Sequence, residues 1–314
     1  MSPSELAIEA RGLGKDYGSL TAVGAVDLEV HPGEFFGLLG PNGAGKTTTI
    51  HMLATLLRPS RGTGRVAGHD VVRSPLAVRR QIGLVFQETT LDLDLTAEEN
   101  LRFAARLYAL PSTEARRRID EVLDLFDLAP RRHDRVRSFS GGMRRALDLA
   151  RGVLHRPGIL FLDEPTLGLD PIHRRRIWKF LHRLRSESGV TLFLTTHHLE
   201  EADDCERVVI LDRGRILVRG TPAELKRRVG HESLELEADP ADDGLIDEVR
   251  RRTGVEPQRS ARGLVVGVAD AERVLPGLLP LLNGRIRALR VRRPSLEDVF
   301  VALTGHPTDT QGSG

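Results

Sequence analysis

Cysteine is almost missing from this 314-residue chain: Cys205 stands alone, so no internal disulfide can staple the fold. A single thiol fits a reducing compartment, and Cys205 reads as a small packing residue rather than a nucleophile. Long hydrophobic runs are also lacking. No stretch approaches the roughly 18 apolar residues that a spanning helix needs, so any membrane role is expected to come through another protein. Residues 1–10 carry acids and no apolar core, which argues against a signal peptide. Aromatics make up 4% of the chain, and few of them interleave with arginine, which weakens a stacking role on single-stranded nucleic acid. Lysine occurs only at 15, 46, 179 and 226. The arginine runs at 116–118 and 174–176 lie in helical stretches among acids and read as solvated faces, so no nucleic-acid partner is expected. Repeats and long low-complexity segments are absent as well.

What is present is an aliphatic chain of balanced charge: 40% hydrophobic, 29% charged, net +2. That suits an α/β core, and the length suits one large domain with a smaller companion. Residues 6–35 alternate in the manner of antiparallel strands. Phe35–Leu39 reads as a short apolar strand that ends in a glycine-rich loop, followed by a helix with Ile50, Leu53, Ala54 and Leu57 on one face. Residues 64–86 read as strands, and 96–129 as helical, with Thr96 and Glu99 forming a capping box. From 140 onward helices alternate with strands at Ile159–Leu162 and Val190–Leu194, the pattern of a parallel sheet, and a hairpin turns at Asp212–Gly214. The pattern resets near 226–232. Strands are expected at 233–238, 264–268 and 286–290, and helices at 245–252 and 271–282.

Chemistry concentrates first in Gly40-Pro41-Asn42-Gly43-Ala44-Gly45-Lys46-Thr47, a GxxxxGK[ST] phosphate loop between a strand and a helix. Its glycines let successive N–H groups face a phosphate, and the helix adds its positive end. Lys46 would neutralise β- and γ-phosphate charge, and the Thr47 hydroxyl could ligate Mg²⁺. The second centre is Asp163-Glu164, two carboxylates delivered by an apolar strand at its C-terminal end. Asp163 could hold Mg²⁺ directly or through water, and Glu164 could polarise an attacking water.

With these motifs in this order, residues 5–225 resemble the ATPase of an ABC (ATP-binding cassette) transporter. The resemblance implies an α/β fold: a RecA-like phosphate-loop core, an antiparallel β subdomain and an α-helical subdomain at about 88–150, here joined to a small C-terminal α/β domain. The expected divisions are 1–228 for the nucleotide-binding domain, 229–306 for the accessory domain and 307–314 for a disordered tail. Phe139-Ser140-Gly141-Gly142-Met143 is similar to the family signature that binds the γ-phosphate of ATP held by the opposite subunit. It departs from the usual leucine and glutamine at Phe139 and Met143, and activity is expected to survive. Gln87 resembles the glutamine that touches Mg²⁺ and the attacking water, and His197 the switch histidine on the γ-phosphate, in either protonation state. Asp170, in Gly168-Leu169-Asp170, resembles the loop joining the two subunits. Tyr17 resembles the aromatic that stacks on adenine, and Thr48 joins the nucleotide contacts of the loop. The implied ligands are ATP and Mg²⁺. The implied partners are a second copy, packed head to tail around two ATP molecules, and an integral-membrane permease, which would hold this chain as a peripheral subunit at the cytoplasmic face of the cell membrane.

The C-terminal stretch from Arg292 to Gly305, together with Gln87–Asp92 and Met143-Arg144-Arg145, resembles the daunorubicin/doxorubicin-type exporter ATPases. That implies efflux of a drug or antibiotic. Export of lipid, polysaccharide or peptide by the same motor is the alternative, followed by a soluble ABC ATPase; the long coiled-coil insertion or second cassette usual in the latter is not seen.

Overall fold

The computed structural model describes residues 6–229, 232–239, 241–260, 262–268, 270–282 and 285–305; the tail expected at 307–314 lies outside them. The described chain divides into two compact units at Thr221/Pro222.

In the first unit, β1 (Ile8–Tyr17) and β2 (Leu20–Val30) pair antiparallel before β3 (Phe35–Leu39), which is buried at every position. Helix α1 (Lys46–Leu53) follows, then β4 (Arg61–Val66), β5 (His69–Asp70), α2 (Pro75–Gln81) and β6 (Ile82–Val85). The sequence pattern predicts strands throughout 64–86. Instead α2 intervenes, started by Pro75 at its first position, where the missing N–H costs nothing. The segment 96–129 resolves into α3 (Ala97–Leu107) and α4 (Ser112–Leu125), broken at Ala109, which has φ +53°, and Pro111. The expected capping box is present: Thr96 Oγ1 accepts from the Glu99 amide at 3.2 Å, and a Glu99 carboxylate oxygen accepts from the Thr96 amide at 2.8 Å.

Helix α5 (Gly141–Val153), β7 (Ile159–Asp163), α6 (Pro171–Ser188), β8 (Thr191–Thr196), β9 (Arg207–Asp212) and β10 (Arg215–Gly220) complete the unit. The strands form two sheets: an antiparallel one ordered β2-β1-β4-β5, and a six-stranded one ordered β10-β9-β3-β8-β7-β6, parallel except for β10. Three of the scarce aromatics sit at the centre of the larger sheet. Phe36, Phe193 and Phe161 are cross-strand neighbours on β3, β8 and β7, with ring centroids 5.2 and 5.4 Å apart. On the other face Phe35 stacks on Trp178 of α6 at 5.5 Å.

Strand order gathers the motifs. β8 lies between β3 and β7, with Leu39 opposite Thr196 and Asp163 opposite Thr195. The three C-terminal ends, carrying the glycine loop, the carboxylates and His197, therefore open at one edge, where ligands of such sheets bind.

The second unit contains α7 (Pro222–Val229), β11 (Glu232–Ala238), α8 (Asp243–Thr253), β12 (Gln258–Ser260), β13 (Gly263–Val268), α9 (Ala271–Leu278), β14 (Ile286–Arg292) and α10 (Leu296–Thr304). Whereas the sequence pattern resets near 226–232, α7 packs on α10 inside this unit. Its antiparallel sheet is ordered β12-β13-β11-β14. Leu234, Leu236 and Ala238 are buried while Glu235 and Glu237 face outward, the alternation of a sheet with one covered face. Leu245, Val249, Val266 and Leu278 complete a core belonging to this unit alone. Among the described residues no helix is long and apolar enough to cross a membrane.

Candidate functional site

The loop between β3 and α1 turns on Gly45, whose φ of +101° favours glycine; a Cβ there would meet the Ala22 carbonyl oxygen at 2.7 Å. Lys46 opens α1 and is 6% exposed. Its ammonium folds back over the loop, donating to the carbonyls of Gly40 at 2.8 Å and Pro41 at 3.1 Å, and stands 3.3 Å from a Glu164 carboxylate oxygen. Burial pushes the Lys46 pKa down, opposed by the charges of Glu164 and Asp163. No acid stands in the first turn of α1, so its end is free to face an anion.

Asp163 ends β7, and its Oδ1 accepts from Thr47 Oγ1 at 3.1 Å and Thr195 Oγ1 at 2.5 Å. Glu164 has φ +47°, a left-handed conformation that is unfavourable for a side-chain-bearing residue and concentrates at functional sites. Its amide donates to the Thr195 carbonyl at 3.1 Å and hydroxyl at 3.2 Å, which holds the turn. Its Oε2 lies 2.9 Å from His197 Nδ1 and 3.3 Å from the His197 amide. Lys46, Thr47, Asp163, Glu164, Thr195 and His197 thus form one hydrogen-bonded group. His198 packs its ring 4.0 Å from that of His197, and burial lowers its pKa.

Ser140 caps α5, its Oγ accepting from the Met143 amide at 3.3 Å, and Ser140 and Gly141 are exposed. Phe139 is buried, with the Arg131 guanidinium 5.8 Å from its ring. Gly142 has no room for a side chain, because a Cβ would meet the His173 ring at 2.1 Å. That ring is held by Asp170, whose Oδ2 lies 2.5 Å from His173 Nδ1. Asp170 also caps α6, accepting from the Ile172 and His173 amides at 2.9 and 3.0 Å. The His173 amide and ring, then the Ile172 amide, hold the Asp170 carboxyl down to about 2. No hydrogen bond among the described residues joins the Ser140–Gly142 turn to the Lys46 group. Gln87, just beyond β6, is exposed and likewise makes none to the carboxylates. Tyr17, at the end of β1, is 49% exposed, with Lys15 Nζ 5.3 Å from the ring centre.

Three contributors escape a reading of motifs. Thr195 is signalled only as a hydroxyl in an apolar strand. His173 carries no sequence signal of its packing against Gly142. Arg145 sits among apolar positions on the buried side of α5 and donates to the Phe86, Asp163, Glu164 and Pro165 carbonyls.

A glycine loop over a buried lysine, facing two carboxylates across parallel strand ends, defines a phosphate-loop nucleotide hydrolase. The model of the ABC transporter family matches residues 23–167, and that of the ATP-binding protein DrrA1-3-like, C-terminal domain, matches residues 220–304. The chain belongs to the ABC transporter family, as an ATP-binding and ATP-hydrolysing subunit of the DrrA-like branch. It is 41% identical to the daunorubicin/doxorubicin resistance ATP-binding protein DrrA of Streptomyces peucetius, covering 98% of this chain and 95% of that one. It is 43% identical to the daunorubicin resistance ATP-binding protein DrrA3 of Streptomyces coeruleorubidus, covering 96% and 97%. Among solved structures, the dimeric post-hydrolysis state of the ATP-binding cassette MJ0796 bound to ADP and Pi superposes with a TM-score of 0.63 at 27% identity, over 68% of this chain and 98% of that one.

Proposed function

We propose that two copies of this chain close head to tail around two ATP molecules and drive efflux of a drug or antibiotic through a separate membrane permease, working from its cytoplasmic face. The observation that carries the reading is the pairing of Lys46 and His197 with one carboxylate, Glu164, at 3.3 and 2.9 Å. A triphosphate competes with Glu164 for Lys46. As the ammonium turns from the Gly40 and Pro41 carbonyls to the β- and γ-phosphates, Glu164 becomes free to polarise a water in line with the γ-phosphate. His197 then exchanges its carboxylate contact for the γ-phosphate. Ser140, Gly141 and Gly142 of the second copy close the other side with a hydroxyl and helix N–H groups, and Asp170 borders that junction. Asn42, Gly43, Ala44 and Thr48 complete the phosphate cradle, and Tyr17 stacks on adenine.

Mg²⁺ suits the donor set at Thr47 and Asp163, one hydroxyl and one carboxylate already 3.1 Å apart, because this ion takes few protein ligands beside phosphate oxygens. When bound it would neutralise phosphate charge, with Gln87 as a further ligand. The permease and the drug cargo are supported by the names of the relatives and by the match over the C-terminal unit.

The test is Glu164→Gln with ATP, followed by light scattering. A dimer that persists while turnover falls by about a thousandfold supports the reading; a monomer at every ATP concentration sinks it. Co-purification from solubilised membranes with a multi-span protein, and ATPase activity stimulated by anthracycline, tests the cargo.

A further inference from the structure

Arg145 is 7% exposed and lies within the helix whose N-terminus is the Ser140–Gly142 turn. Its guanidinium bonds to no carboxylate among the described residues. Nε donates to the Pro165 carbonyl at 2.6 Å, Nη2 to those of Asp163 at 3.2 Å and Glu164 at 3.0 Å, and Nη1 to that of Phe86. A buried guanidinium is costly unless its donors are satisfied, and here main-chain oxygens satisfy them. Those oxygens come from two places only: the strained turn that carries Glu164, and the residue immediately before Gln87. Further along α5, Arg151 donates to the Thr90 carbonyl at 2.9 Å and to its hydroxyl, and to Asp148 Oδ1 at 2.9 Å. The segment Phe86–Thr90 is therefore fastened to α5 at both ends.

We infer that Arg145 is a positioning residue that couples the two ATP sites of the dimer through the body of each chain. The inference rests on the proposed ATP sandwich, in which Ser140–Gly142 meets the ATP of the second copy while Glu164 and Gln87 serve the chain's own ATP. Any shift of α5 on phosphate engagement is passed by the rigid guanidinium fork to the Glu164 peptide and to the entry of the Gln87 segment. Two sites biasing one packed element is the physical requirement for coupling.

The experiment uses the full chain and compares wild type with Arg145→Lys and Arg145→Met. It reads melting temperature, affinity for ATP in the Glu164→Gln background, kcat, and the cooperativity of ATPase rate in ATP. Lysine keeps the buried charge but cannot reach four carbonyls at once. Both variants should bind ATP within about twofold of wild type and lose the cooperativity that wild type shows; Arg145→Met should lose about tenfold in kcat, and Arg145→Lys should lose less, about threefold. Wild-type kcat and cooperativity in Arg145→Lys would overturn the inference, as would a non-cooperative wild type. So would loss of melting temperature and ATP affinity with kcat per folded molecule unchanged, the mark of a merely structural role. If neither Arg145 variant folds, Arg151→Met decides: partly exposed, it loosens the far end of the same segment, and unchanged kcat and cooperativity there would equally overturn it. Failure of Glu164→Gln to dimerise with ATP would defeat the sandwich itself; a dimer with an indifferent Arg145 would defeat only the coupling.

Discussion

At Gly142 the hydrogen in place of a side chain is enforced by a ring from another element. Replacement by alanine would drive a methyl into His173, 2.1 Å from the ideal Cβ, and so displace the Ser140–Gly142 turn or the Asp170 cap. Gly142→Ala should lower kcat by about tenfold or more in a coupled ATPase assay. Adding His173→Ala should restore most of that loss, since the clash is with the imidazole; no recovery would refute the steric account. Lys46 makes a second residue-level case. Lys46→Ala removes the only cation touching Glu164 from the loop and should weaken ATP binding and activity together, with the dissociation constant raised about tenfold or more by titration calorimetry. Unaltered ATP affinity would contradict the role given to the loop. Lys46, Asp163 and Glu164 are legible in sequence because local spacing sets their chemistry. His173 is not, because its contact with Gly142 joins two segments far apart in the chain.

Among the elements, caps and turns follow local rules, whereas pairing does not. Thr96 satisfies an orphan amide at the start of α3, so Thr96→Ala should cost about 1 kcal/mol in chemical denaturation. Residues 75–81 are short and carry little apolar periodicity, which is why a strand pattern absorbs α2. A different consequence arises where the end of α3 meets the segment after α5. His155 stacks on Tyr108 with centroids 3.6 Å apart, its Nε2 donates to the Ile82 carbonyl at 2.9 Å, and its Nδ1 is buried without a partner. Burial holds its pKa down to about 4, the nearby Arg118 charge adding to this and the Ile82 bond opposing it. The folded chain keeps this ring neutral while the unfolded chain protonates it near 6.5. The stabilisation is therefore whole above pH 6.5 and is lost as pH falls from 6.5 toward 4, up to about 3 kcal/mol. His155→Phe should flatten stability across that window, measured by urea unfolding at about pH 7, 5.5 and 4.5. An unchanged slope would show that other groups govern the acid limb.

The molecule as a whole consists of two units with separate cores, and the ATP-binding machinery lies in the first. Residues 1–221 expressed alone should fold cooperatively and bind ATP within a few-fold of the full chain, by circular dichroism and fluorescent-nucleotide titration. An unfolded fragment would show that the first core is incomplete without the second unit. Local order set by residues close in sequence was readable without coordinates: the glycine loop that ends at a lysine, the apolar strand that ends in two acids, and the cap at Thr96. Such features depend on backbone freedom and short-range hydrogen bonds, which spacing encodes. That β8 runs between β3 and β7, bringing His197 to Glu164, is a matter of strand order, and so is the burial of Arg145 under the same turn. Those contacts form only when distant segments pack, because the free energy that selects one sheet order is spread over a whole core rather than held in any short stretch of chain.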